Sequence, residues 1–213
     1  MLFAFFLPSI ALSRLGANRK AALVDIDKRK ARDARQVFAN GGAAAAAALA
    51  YGFTHSPIAA SAFAGAFAAA AADTWGTELG TLARSAPRSI LTFRPVTRGL
   101  SGGVTVWGTI AEIAGALFVG CIAWGVSVAL CWIVAAAGIA GALADSLLGA
   151  TLQSLRYCSR CQRLCETDPH ICGSVTSVVR GIRAIDNDVV NAIATITGAL
   201  AAGGIAALYT AAF

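Results

Sequence analysis

Residues 71–80 read AADTWGTELG, where an alanine-rich apolar run gives way to Asp73, Thr74, Trp75, Thr77 and Glu78. A second apolar run ends the same way in residues 143–153, LADSLLGATLQ, where Asp145 precedes Ser146 as Asp73 precedes Thr74. Both acids are expected to close hydrophobic helices. An acid at the end of a membrane-spanning segment is costly unless it faces a polar cavity, a partner or an ion, so each is a candidate functional residue.

The composition supports that membrane setting. Of 213 residues, 57% are hydrophobic and only 13% charged, and the mean hydropathy is +0.69, a balance foreign to water-soluble domains. The expected fold is all-α, a polytopic membrane helix bundle forming a single domain over residues 1–213. Apolar stretches near the spanning length of about 17–25 residues are drawn at 1–15, 37–53, 57–75, 103–123, 126–150 and 188–212, about six transmembrane helices. The first 13 residues lack a basic leader and a small-residue cleavage site, so they read as a short span and not as a removed signal peptide.

The 17 Lys and Arg residues fall into three groups, between spans one and two, three and four, and five and six. The positive-inside rule therefore assigns these three loops to the cytoplasm and both termini to the outside. Asp73, Glu78, Ser101, Thr105, Asp145, Asn187, Asp188 and Asn191 then come to the cytoplasmic ends of spans three to six, while Glu112 is expected to lie deeper. The outer half holds no acid or base, which argues against a charged route through the bilayer. Trp75 and Trp107 are expected at the cytoplasmic interface. ANGGAAAA with ADTWGTELG, and LSGGVTVWG with ADSLLGATLQ, also suggest a parallel duplication of a two-helix unit.

Several motifs carry chemistry, each with a plainer alternative. Arg98-Gly-Leu-Ser-Gly-Gly-Val-Thr105 places glycines and hydroxyls before a helix N-terminus, where free N–H groups favour a phosphate; an interfacial turn is the alternative. Asp73 and Asp145 suit Mg²⁺, which takes a carboxylate or two with phosphate oxygens and waters, or they neutralise basic loops. Asp188 and Asn191 share a helical face, although capping alone explains Asn187 or Asp188. The first basic loop suits anionic headgroups or a nucleotide, or acts only as a topology determinant. In the cytoplasmic loop 156–183, Cys158-x-x-Cys161 and His170-x-Cys172 have spacing suited to a closed, structural, tetrahedral Zn²⁺ site, with Cys165 a fifth candidate or a spare.

Taken together, LSRLGANRKAAL, QVFANGG, HSPIAASAFAGAFAAAAADTWGTELG, SGGVTVWGT, ADSLLGATLQ, the CxxC and HxCG loop and NDVVN resemble the transmembrane protein 19 family across nearly the whole chain. That family, a membrane domain of unknown function, includes the plant phytyl-phosphate kinase. It carries a further apolar segment upstream, so Met1 is expected to begin within a later helix, and Cys165 departs from its loop pattern. The resemblance implies an enzyme in the cell membrane of a prokaryote, its site facing the cytoplasm, that converts an isoprenyl monophosphate such as phytyl or geranylgeranyl phosphate to the diphosphate with a nucleoside triphosphate, CTP favoured. The candidate catalytic set is then Asp73, Glu78, Asp145, Asp188 and Asn191, and the candidate nucleotide-binding set is Asn40, Arg98, Ser101, Gly102, Gly103 and Thr105. The bilayer, the prenyl phosphate and the nucleotide are the expected partners, with no nucleic acid; a homo-oligomer is compatible with this. The rival reading is a transporter or binding module for an anionic metabolite or lipid.

Overall fold

The computed structural model of the chain describes residues 1–18, 20, 34–126 and 128–212. Six helices carry the described fold: α1 (Leu2–Arg14), α2 (Ala34–Thr54), α3 (Pro57–Leu82), α4 (Val106–Gly125), α5 (Cys131–Thr151) and α6 (Asn187–Ala212). Four of them, α3 to α6, are long and apolar enough to cross a membrane. The 13 residues of α1 fall short of the roughly 17 needed to cross alone. The 21 residues of α2 suffice in length, but it opens with Arg35, Gln36 and Asn40.

The alanine run makes α3 the centre of the bundle, packed on by each of the other five helices. Without hydrocarbon–water contrast to drive helices together, close backbone approach between small residues is what holds them. Ala64, Ala66 and Ala68 to Ala72 of α3 are fully or almost fully buried. Gly65 and Gly198 bring α3 and α6 together so tightly that a Cβ on Gly198 would lie 2.6 Å from the Gly65 carbonyl oxygen. One interhelical hydrogen bond, Thr195 Oγ1 donating to the Ala39 carbonyl at 3.0 Å, fixes α2 on α6; such bonds average about 0.6 kcal/mol in membranes.

The start of α3 follows its local sequence. Ser56 caps it, accepting from the Ile58 N–H at 3.2 Å, and Pro57 occupies the first turn, where its missing N–H costs nothing. The end differs from expectation: the helix runs on through Leu82 instead of stopping at residue 75. The reason lies in Arg98, whose guanidinium donates to the carbonyls of Thr81, Ala83 and Ser85 at 3.2, 2.8 and 2.9 Å, satisfying acceptors a helix C-terminus leaves open. Asp73 is therefore nine residues inside its helix, and neither it nor Asp145 is terminal.

The polar loops contain strands as well as turns. β1 (Arg88–Ser89) pairs with β2 (Gly103–Val104), and β3 (Leu155–Cys158) lies between β4 (Arg163–Cys165) and β5 (Ser177–Arg180) in an antiparallel sheet. Cross-links between segments place the basic loops together at one end of the bundle: Lys20 with Glu78, Arg35 with Asp186, and Glu166 with Ser101. Residues 21–33, on which the headgroup or nucleotide reading of the first basic loop rests, lie outside the described residues.

Two tryptophan expectations separate. Trp107 is 63% exposed at the start of α4, as an interfacial anchor should be. Trp75 instead turns into the bundle and packs on Phe118, ring centroids 5.4 Å apart.

Candidate functional site

Ala72 of α3, Ala116 of α4 and Ala142 of α5 pack together, and this contact sets the position of the acids. Toward the loop end, Asp73 follows Ala72, Glu112 stands one turn before Ala116 on the antiparallel α4, and Asp145 stands one turn after Ala142. Three carboxylates on three helices thus occupy a layer about one turn, some 5 Å, thick. Asp73 and Glu112 are close enough to interact electrostatically, and Asp145 Oδ2 is sealed from solvent.

Glu112 is not deeper than the other acids, as its place in the sequence suggested. Its side chain lies against Gly76, one turn beyond Ala72, with Oε1 2.7 Å from where a Gly76 Cβ would stand. It is six residues from the start of α4, whereas Asp73 is nine from the end of α3. A lone acid inside an apolar span was the signal for it; its partner only becomes visible once α3 and α4 are paired.

Two more helices add polar groups to the layer. Gly141 of α5 packs on the Ala194 carbonyl of α6, so Asp145, four residues on, and Asn191, three residues before Ala194 on the antiparallel helix, share one level. Asn40 follows Ala39, the acceptor of the Thr195 hydrogen bond, and its Nδ2 donates to the Gln36 carbonyl at 3.0 Å. Asp73, Glu112, Asp145 and Asn191 thus come to one level of the bundle, and Asn40 stands next to the α2–α6 contact at Thr195.

Other candidates have structural tasks at the rim. Glu78 accepts from Lys20 Nζ at 2.5 Å and Ser13 Oγ at 2.8 Å, which fastens the end of α1 to α3. Asp188 lies 3.4 Å from Arg35 Nε, beside the 2.7 Å Arg35–Asp186 pair, which fastens α2 to α6. Thr105 caps α4, accepting from the Gly108 N–H at 3.0 Å.

The glycine turn is not arranged as a phosphate cradle. Arg98 points to the end of α3, and the Ser101 N–H and Oγ donate to the two oxygens of Glu166 at 2.5 and 2.9 Å. Gln153 Nε2 donates to the same carboxylate at 3.1 Å. Gly102, at φ +78°, is pressed on α5, where a Cβ would stand 2.5 Å from Ala150 Cβ, and Gly103 pairs with Ser89. A protein carboxylate thus takes the N–H expected to meet a phosphate, and it docks the Cys/His loop on the bundle. Nothing in the spacing of CETD signalled that contact.

In that loop the four expected ligand residues do converge. One ligand atom each from Cys158, Cys161, His170 and Cys172 lies within 4.8 Å of the others. Tetrahedral Zn–S bonds of about 2.3 Å put sulfurs roughly 3.8 Å apart; Cys158 Sγ and Cys172 Sγ are 3.6 Å apart, and His170 Nδ1 is 3.2 Å from Cys172 Sγ. The donor set and spacing fit such an ion. Hydrogen bonds from Ser174, then His170, bring the Cys172 thiol down to about 5, while contact with Cys172 pushes the Cys161 thiol up to about 11. Cys165 stands apart on β4, its Sγ 3.8 Å from the Thr167 carbonyl. Beside the cluster, buried Arg156 pairs with Asp168 at 2.5 Å and donates to Thr176 Oγ1 at 2.7 Å, holding the two sides of the loop together.

These features define a helical integral membrane protein with a polar layer near one end and, docked over it, a small Cys/His cluster whose spacing could hold a metal ion. The chain belongs to the integral membrane protein family DUF92, whose model matches residues 1–199. It is 30% identical to Protein PGR of Arabidopsis thaliana, over 92% of this chain and 77% of that protein. It is 35% identical to an uncharacterized membrane protein of Methanocaldococcus jannaschii, over 72% of this chain and 64% of the relative, and 32% identical to one of Synechocystis, over 72% and 62%. The chain thus spans a little under two thirds of the archaeal and cyanobacterial relatives. No solved structure matches it.

Proposed function

We propose that the protein is a membrane-embedded prenyl-phosphate kinase that moves a phosphoryl group from CTP, or another nucleoside triphosphate, to an isoprenyl monophosphate. The convergence of Asp73, Glu112 and Asp145 in one layer carries this reading, together with the family to which the chain belongs. Phosphoryl transfer asks a protein mainly for positioning and charge neutralisation. A prenyl phosphate oxygen is already a nucleophile, so no side chain need act as general base.

The layer offers hard oxygen donors of the kind Mg²⁺ takes, so Asp73, Asp145 and Glu112 fit that ion by chemistry. Bound there, Mg²⁺ would neutralise phosphate charge. Asn191 and Asn40, from α6 and α2, would orient phosphate oxygens by hydrogen bonding. The basic loops at this end would attract the nucleotide, which argues for a layer that faces the cytoplasm. The Cys/His unit holds structural Zn²⁺ in this reading and keeps the loop end in shape through Glu166.

The packing weighs against the transporter alternative. Beyond the acid layer, among the described residues, α3, α4 and α5 are packed with Phe67, Ala68, Val119, Ala123 and Val134, all nearly or fully buried. The test is to incubate the purified protein with Mg²⁺, γ-labelled CTP and geranylgeranyl or phytyl phosphate. Label in the prenyl diphosphate supports the reading; a wild-type protein that never transfers label from any nucleoside triphosphate rejects it.

A further inference from the structure

Three helices leave an apolar groove beside the polar layer. α1 and α2 each pack on α3 yet scarcely touch one another, and the gap between them is a cavity of about 450 Å³, within the range of roughly 300–1,000 Å³ common to small-molecule sites. Phe5 and Phe6 of α1 and Phe63 and Phe67 of α3 form its inner wall, and α2 lines it from Gln36 to Ala45. Among the described residues, none that lines it is charged. Its only side-chain amides, Gln36 and Asn40, mark the end at the acid layer, and Phe38, 75% exposed, stands at its open side.

We infer that this groove holds the hydrocarbon tail of a single-chain isoprenyl phosphate, entering sideways from the bilayer between α1 and α2. This rests on the kinase reading and extends it to the lipid. The occupant follows from the groove's polarity and continuity: an apolar trough one helix gap wide takes one chain, and it leads past Asn40 to the layer where the phosphate would sit. Along it, among the described residues, a free nucleotide or an inorganic anion meets polar side chains only at the end marked by Gln36 and Asn40. Gly41 and Gly42 keep it open, since a Cβ on either meets nothing within 4 Å. Gly65 and Gly198 mark a close helix contact, whereas Gly41 and Gly42 on this face of α2 mark space.

That difference supplies the test. Gly42→Leu, and Gly41→Leu as a second variant, fill the groove without displacing a packed neighbour, and melting temperatures equal to wild type would confirm intact folds. The full chain in nanodiscs is irradiated with geranylgeranyl phosphate bearing a diazirine at the tail end, and adducts are mapped by mass spectrometry. The inference predicts adducts on peptides holding Leu2–Phe6 and Gly41–Ala45, competed by unlabelled geranylgeranyl phosphate and reduced at least tenfold in a stable leucine variant. Adducts spread over lipid-facing positions such as Trp132 and Leu200, or unchanged in both variants, would overturn it. Groove labelling in a wild-type protein that transfers no phosphate would reject the kinase reading and leave the groove standing. Phosphate transfer with labelling elsewhere would do the reverse.

Discussion

Glu112 lies against Gly76, with no room between them for even a methyl group. The absence of a side chain on α3 is what lets a carboxylate from α4 enter the layer beside Asp73. Gly76→Ala should therefore push Glu112 out of position and lower phosphoryl transfer at least tenfold, about 1.4 kcal/mol in barrier. Glu112→Gln should do the same, and adding Gly76→Ala to it should cost little more, since changes acting through one group are not additive. Full additivity in steady-state rates would show that Gly76 acts through something else.

Glu166 predicts a coupling between the Cys/His unit and the bundle. Glu166→Gln removes the charge from three hydrogen bonds, and charge-assisted bonds are each worth about 1.5–3 kcal/mol. Hydrogen exchange at residues 99–103 should quicken by tenfold or more while bound metal is retained. Unchanged protection there would mean the contact contributes nothing to docking.

Metal analysis separates the cysteines. The purified protein should carry about one Zn²⁺ per chain, as four ligands around one ion imply. Cys158→Ser or Cys161→Ser should lose it, and Cys165→Ser should keep it because Cys165 lies outside the cluster. Equal metal loss in all three would return Cys165 to the ligand set.

Orientation is tested by a cysteine at Thr92 or His55, exposed residues of the loops at opposite ends of the bundle. With the Cys/His cluster left intact and labelling read on the peptide that holds residue 92, Thr92→Cys should react with an impermeant maleimide only after the membrane is opened. His55→Cys should react in intact cells. The opposite pattern inverts the protein and puts the acid layer outside.

The sequence carried the features that depend on pattern along one strand of chain. Apolar length announced helices, CxxC with HxC announced the convergence of four Cys and His side chains, and Asp73 and Asp145 stood out as charges in alanine. What it hid depends on pairing between distant segments. Arg98 looked like a phosphate ligand because the acceptors it meets, 13 to 17 residues earlier, are ordinary carbonyls with no side-chain signature. The glycines of SGG read equally as a cradle or as close packing, and only the contact with Ala150 decides for packing. Glu112 seemed isolated because Gly76, the residue that makes space for it, has no side chain to notice. The groove was hidden likewise, being defined by two helices that scarcely touch.

The central claim is that Asp73 and Asp145 act together in phosphoryl transfer, and both can be neutralised with little change of shape. The direct measurement is Mg²⁺-dependent transfer of label from γ-labelled CTP to geranylgeranyl phosphate by wild type, Asp73→Asn, Asp145→Asn and the double variant, each shown to be folded and metal-loaded in the membrane. The account predicts turnover by wild type, a loss of about a hundredfold or more in each single variant, as for removal of a group that stabilises transition-state charge, and a double variant little worse than the poorer single. Wild-type turnover in both single variants would contradict it.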